Sequence, residues 1–197
     1  MRQASGSLAR GFWIVAAGTA LALAVTVAVE WSMGRLLVGP DGRFGWFEWN
    51  IWSSEQSQRL VDPYSLSHVV HGLLFYAFFW IVARRVPARY RFLAAVWLEA
   101  GWEMLENSPL IINRYRAVTI SLGYEGDSIL NSVSDVLMMS LGYLVASRAG
   151  TWLCVALVAA AEIGMVLWVR DNLTLNILML VYPLATIRAW QMAGQPH

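Results

Sequence analysis

The sequence has no lysine and a single cysteine, Cys154, in 197 residues, and only 14% of its side chains are charged. A soluble domain of this size carries about 25% charged residues. The deficit removes what a water-facing surface needs, while a hydrophobic content of 58% supplies what a lipid-facing one requires. Membrane embedding is therefore the first reading. One cysteine excludes an intrachain disulfide, and Cys154, inside an apolar run, reads as a packing residue. The 14 basic residues are all arginine, which suits a GC-rich genome and points to no function. Set against 13 acidic residues they leave a net charge of +1, so no bulk basic field exists to attract nucleic acid. Also missing are GxSxG, HExxH and any catalytic-cysteine context. There is no internal repeat, no low-complexity tract and no sign of a second domain.

What is present is a series of apolar stretches. A helix rising 1.5 Å per residue needs roughly 20 apolar residues to cross the hydrocarbon, where every backbone polar group must be bonded internally. Six stretches come near this: 11–29, 67–82, 92–106, 128–146, 151–169 and 173–189, the last two joined by a short turn at Arg170, Asp171 and Asn172. The expected fold is an all-α polytopic bundle forming one transmembrane domain over 1–197. Arg2 and Arg10, the group Arg84, Arg85, Arg89 and Arg91, then Arg148 and Arg188 fall on one side of such a bundle, and Arg35, Arg43, Arg59, Arg114, Arg116 and Arg170 on the other, a modest bias sharpened by the four-arginine loop. By the positive-inside rule that side is cytoplasmic, which puts both termini inside a bacterial inner membrane. The first run, of full spanning length and with a poor cleavage site from Thr26 to Glu30, reads as an uncleaved helix rather than a secretory signal.

The connection 30–66 would then be periplasmic. It holds a turn signal, Gly39-Pro40-Asp41-Gly42, followed by Phe44, Trp46, Phe47, Trp49 and Trp52. Tryptophan favours the bilayer interface because its ring is apolar and its N–H seeks a polar partner. The segment reads as an interfacial anchor or as a lid over a substrate.

Three consecutive predicted spans point polar stripes at one place. His68 and His71, three residues apart, share a helix face at the outer start of the second span. Glu99, Glu103 and Glu106, followed by Asn107, form an acidic stripe as the third span travels outward. Asp127, Ser128, Asn131 and Asp135 line a face as the fourth re-enters. At 1.5 Å per residue Glu99 lies roughly 10 Å below Glu106, and Asp135 roughly 12 Å below Asp127. Ionisable groups at such depth cost about 2.5–3.5 kcal/mol each on insertion scales and face an interior cavity and one another.

Three things can compensate so many carboxylates. One is Arg114 and Arg116, through a bidentate guanidinium fork. Another is a divalent metal, zinc, manganese or iron, on His68, His71, Glu103 and Asp127. The third is protonation, since burial and like-charge neighbours favour the neutral carboxyl. Against each stands a plainer reading: interfacial hydrogen bonds for the histidines, simple ion pairs for Glu103 and Glu106. Glu99 and Asp135, the deepest, are the candidate catalytic residues, with Arg114, Arg116, Asn107, Asn131 and Ser128 as candidate binding residues. Glu162, deep in the fifth span, either completes the cluster or pairs elsewhere.

Three segments carry a family resemblance: DPYSLSHVVHG from Asp62 to Gly72, EAGWEMLEN from Glu99 to Asn107, and GYEGDSILNSVSD from Gly123 to Asp135. With the stretch from Trp52 to Gln58 they cover much of 46–142. On these the chain resembles the UPF0314 family, also described as DUF2585, of uncharacterised bacterial membrane proteins. The resemblance brings no activity with it. Two functions from different classes fit the residues. One is a metal-dependent hydrolase or transferase on a lipid-like substrate, reached from the periplasmic side. The other is a non-catalytic accessory subunit, assembly factor or lipid-binding protein, with a lipid or membrane-protein partner, whose polar cluster fixes helix register. A proton or solute pathway is disfavoured by the few polar residues in the inner half of the spans.

Overall fold

The computed structural model describes residues 2–195, with side chains described from Arg10 onward. The described residues form eight helices and no strand: α1 (Arg2–Ser32), α2 (Ser65–Val82), α3 (Ala88–Glu106), α4 (Pro109–Val118), α5 (Ile129–Ala146), α6 (Thr151–Val169), α7 (Leu173–Val181) and α8 (Ala185–Met192). Four of them, over Arg10–Ser32, Ser65–Val82, Ile129–Ala146 and Thr151–Val169, are long and apolar enough to cross a membrane. The 19 residues of α3 give it comparable length, but Arg89, Arg91, Glu99, Glu103 and Glu106 make it too polar to qualify on composition.

The predicted span 173–189 is two helices, not one. Pro183 has no N–H to return to the carbonyl one turn back, and its ring clashes there, so α7 stops at Val181 and α8 starts at Ala185. The Leu184 N–H turns instead to the Met179 sulfur, at 3.4 Å. Helices of nine and eight residues rise only about 12–14 Å, less than half the hydrocarbon thickness. The turn predicted between the fifth and sixth stretches is present, with Arg170 in the left-handed conformation at φ 56°. Glu162 pairs elsewhere than the cluster: its carboxylate accepts from the N–H groups of Leu173 and Thr174 at 3.2 and 3.1 Å. It thereby caps α7, where the first turn leaves its N–H groups without intrahelical partners.

The core lies where α1, α3 and α5 meet, through Ala22, Ala95, Val96, Ala100, Val136, Met139 and Tyr143. Small residues let α2 reach α5 at backbone distance, as in the close crossings of membrane helices. A Cβ on Gly72 would meet the Met139 carbonyl oxygen and, at 2.5 Å, the Tyr143 nitrogen, and one on Gly142 would meet the Val69 carbonyl group. This seam sets His68 on α2 opposite Asp135 on α5.

The connection between α1 and α2 begins later than predicted, because α1 continues through Glu30 to Ser32. Its turn signal forms a turn, with Gly42 N–H on the Gly39 carbonyl at 2.9 Å and Gly42 at φ 70°. Arg59 ties the loop together through Asp41 at 2.8 Å and Glu55 at 2.9 Å, and the guanidinium holds the Asp41 carboxyl below its ordinary range. Phe44, Trp46, Phe47 and Trp49 are all more than half exposed, whereas Trp52 turns inward to line a cavity.

Candidate metal centre

The polar stripes of α2, α3 and α5 do converge, and the hub of the convergence is Asn107, fully buried just beyond the end of α3. Its side-chain N–H groups face the Asp127 carboxylate at 3.0 Å, the Ser132 hydroxyl at 3.2 Å and the Glu30 carboxylate at 3.4 Å. Its side-chain oxygen accepts from the Asp127 backbone N–H at 2.6 Å. One amide thus joins α1, α3, α5 and the loop before α5.

Below this hub, Glu99 is fully buried and gathers both histidines. Its Oε1 lies 2.6 Å from Nδ1 of His68 and 2.9 Å from Nδ1 of His71. His68 also stands 3.3 Å from Glu103 and, through Nε2, 3.7 Å from Asp135. The Ser65 hydroxyl, at the start of α2, donates to the other Asp135 oxygen at 2.9 Å. Two triplets of donors result, each with its ligand atoms within 4.8 Å of one another: His68, His71 and Glu99, then Glu103, Glu106 and Asp127. The predicted set His68, His71, Glu103 and Asp127 therefore divides between two groups, and Glu99 joins the histidines.

Compensation by Arg114 and Arg116 does not occur. Arg114 Nε donates to the Leu180 carbonyl at 2.9 Å, and Arg116 turns to the Tyr124 carbonyl and to Glu125. Both sit on α4, a helix absent from the expectation, which carries them along the outer wall instead of down into the cluster. Among the described residues, the only cations within 4 Å of Glu99, Glu103 or Asp135 are the two histidines. Glu103 is the extreme case: it is fully buried, and neither of its oxygens has a hydrogen-bond donor. An ionised carboxylate left in that state costs several kcal/mol, so the group is either protonated or accompanied by positive charge, and its unfilled oxygens fit a bound cation.

Ser128 and Asn131 serve the scaffold. The Ser128 hydroxyl caps α5 by accepting from Asn131 N–H at 3.2 Å and donates to the Gln58 carbonyl at 3.1 Å. The Asn131 amide donates to the Arg59 carbonyl at 2.9 Å. Together they clamp the α1–α2 loop over the start of α5.

Beside the cluster lies a cavity of about 1240 Å³. Its lining mixes polar side chains, His68, His71, Glu106, Asp127 and Asp135 among them, with apolar ones such as Phe75, Leu98, Trp102, Ile177 and Leu180, and His71 stacks on Phe75. Its far side is held shut by two ties between α4 and α7, the Arg114 bond and a Tyr115 hydroxyl donating to Asn176 at 2.9 Å. Near the entrance, Asp62 accepts from Gln56 at 2.7 Å and from the backbone N–H groups of Ser57 and Ser65. Burial, with Asp127 nearby, pushes Asp62 up to about 6, and burial likewise raises Asp127. On α7's flank Asp171, raised to about 6 by burial, accepts from Tyr64 at 2.9 Å and Gln191 at 3.0 Å.

Two of these residues escape a reading of the sequence. Glu30 closes an apolar run and looks like the start of a loop, yet it is a fully buried end of α1. Asp62 precedes a helix and looks like a plain cap; only the fold brings it to the cavity.

The family described as Protein of unknown function (DUF2585) matches residues 30–193. A UPF0314 protein of Agrobacterium fabrum is 45% identical over 190 residues, covering 96% of this chain and 94% of the relative. One from Sphingopyxis alaskensis is 46% identical over 193 residues, covering 96% and 99%, and one from Rhizobium meliloti is 48% identical over 169, covering 86% of each. No solved structure matches. With relatives this similar over nearly their whole length, and with all three quoted segments inside the matched region, the chain belongs to the UPF0314, or DUF2585, family.

Proposed function

We propose that this protein is a divalent-metal-dependent hydrolase or transferase of the bacterial inner membrane, acting on a lipid-like substrate. The observation that carries this reading is the cavity, whose lining combines apolar side chains with His68, His71 and Asp135. An amphipathic molecule fits such a mixed lining, its chain on the apolar side chains and its head on the donors. His68, His71 and Glu99 would hold the ion, which supplies Lewis acidity to a substrate oxygen and to the attacking water. Glu99, a ligand already engaged by both imidazoles at 2.6 and 2.9 Å, is the weaker of the two candidate bases. Asp135 is the stronger, because its Oδ2 faces His68 at 3.7 Å while Ser65 holds its other oxygen. In hydrolysis Asp135 takes the proton of the attacking water, the new C–O or P–O bond forms, and the proton passes to the leaving oxygen as its bond breaks.

The test is elemental analysis of the protein purified in detergent without chelator. About one equivalent of zinc, manganese or iron, lost in His68→Ala and His71→Ala, is the expected result for this site. A metal content unchanged from the wild type in both variants would overturn the reading. The Asn107 hub favours the second reading, a non-catalytic protein in which the network fixes helix register. On that reading Glu99→Gln and Asp135→Asn lower thermal stability and leave function in cells intact, whereas the enzyme loses function at near-normal stability.

The orientation, with the cavity open to the periplasm and the N-terminus cytoplasmic, rests on the arginine bias. The end of α8 returns to the α6–α7 turn, through Arg170 to the Trp190 carbonyl and Gln191 to Asp171, each at 3.0 Å, which supports a C-terminus on the periplasmic face rather than inside. Reporters fused after Arg89 and after Arg116 are expected on opposite faces, and a common side would refute it.

A further inference from the structure

The second donor triplet differs in chemistry from the first. Glu103, Glu106 and Asp127 offer only oxygens, all within 4.8 Å of one another. Hard divalent cations such as Mn²⁺ and Mg²⁺ take such ligands, whereas imidazole suits zinc and iron. Oxygen clusters are common at surfaces, but this one is internal, and two further observations point to a missing cation. Both oxygens of the fully buried Glu103 have no donor. So does Oε2 of Glu30, equally buried and arriving from a different helix, whose other oxygen shares the Asn107 amide with Asp127. Asp127 is meanwhile held in place on both oxygens, by the Tyr124 hydroxyl at 2.9 Å and by Asn107 at 3.0 Å. Each of those oxygens keeps a second lone pair.

No compensating side chain is in reach. The chain has no lysine, and among the described residues the one cation within 4 Å of this triplet is His68, which Glu99 already engages at 2.6 Å. Access is provided by Glu106 and Asp127, which stand on the cavity wall.

From this geometry we infer that Glu103, Glu106 and Asp127 form a second, oxygen-only cation site beside the histidine site, making the centre dinuclear. Glu103, 3.3 Å from His68, is the carboxylate between the two sites. The inference deepens the proposed function and rests on it for the first ion, but the second site can be detected on its own. Paired ions held there would stabilise the attacking and leaving oxygens of one displacement, chemistry that suits a phosphate or carboxylate ester as the substrate class.

The experiment uses the full chain in detergent, stripped with chelator and re-equilibrated with Mn²⁺, and counts ions per chain. Two are expected in the wild type. One should remain in His68→Ala/His71→Ala and one in Glu106→Gln/Asp127→Asn. Terbium, a hard ion sensitised by the Tyr124 ring, should luminesce in the wild type and the histidine variant, with a loss of tenfold or more in the carboxylate variant. A single Mn²⁺ that the carboxylate variant keeps and the histidine variant loses would overturn the second site and leave the proposed function standing. The opposite pattern would uphold the oxygen site and overturn the proposed one, and a wild type binding no Mn²⁺ would overturn this inference whatever the variants do.

Discussion

Gly142→Ala and Gly72→Ala are expected to yield no monodisperse folded protein in detergent, while Gly101→Ala and Gly164→Ala should melt at or slightly above the wild type. Gel filtration and thermal unfolding read the difference. The contrast isolates the α2–α5 seam, because all four glycines are helical and only the first two have a backbone against them. A Cβ on Gly142 would stand 2.9 Å from the Val69 carbonyl carbon and closer still to its oxygen. Overpacking against side chains costs typically about 1–3 kcal/mol, because rotamers give way. Here the obstacle is main chain, so relief requires the two helices to part. Open space surrounds Gly101 and Gly164, and there alanine regains about 0.5–1 kcal/mol of helix propensity. If Gly142→Ala folds normally, the seam is looser than the geometry states. The site depends on the same seam, since parting α2 from α5 draws His68 away from Asp135.

The legible part of this fold is the part written at helical period. His68 and His71, the glutamate stripe and the Asp127 to Asp135 stripe each lie on one face by spacing alone, and the structure brings the three faces together. Loop geometry was not legible, and the arginine assignment failed through it. Spacing leaves Arg114 and Arg116 free to swing into the cluster, but Pro109 starts α4 at its first helical position, and the helix carries Arg114 to the Leu180 carbonyl of α7 and Arg116 to the Tyr124 carbonyl of the loop before α5. The sixth span failed for a local reason, a single proline inside an otherwise apolar run. Glu30 and Glu162 show the limit from the other side. Both are isolated acidic residues in or beside apolar stretches, and nothing in sequence separates the one that caps a neighbouring helix from the one buried beside Asn107.

Glu103→Met should change sign with metal. In chelated protein Glu103 is a buried carboxylate with no hydrogen-bond donor, paired only with a histidine already held by Glu99. Replacing such a group with an apolar one of similar volume relieves the desolvation cost of its unsatisfied oxygens, about 1–3 kcal/mol, while His68 keeps its contact with Glu99. The variant is therefore expected to unfold at a higher temperature than the wild type in chelator. Saturating Mn²⁺ reverses the order, because an ion bound only by the folded state adds about 2.7 kcal/mol at a hundredfold excess over Kd. The wild type collects this at sites that Glu103 serves, and the variant collects less. The two readings of the site part at this point. A network that merely fixes helix register predicts unfolding midpoints indifferent to Mn²⁺, with Glu103→Met lower in both conditions through loss of the His68 contact. A midpoint order that crosses between chelator and Mn²⁺ identifies the orphaned oxygens of Glu103 as ligands waiting for a cation, and an order that stays fixed removes the metal from the account.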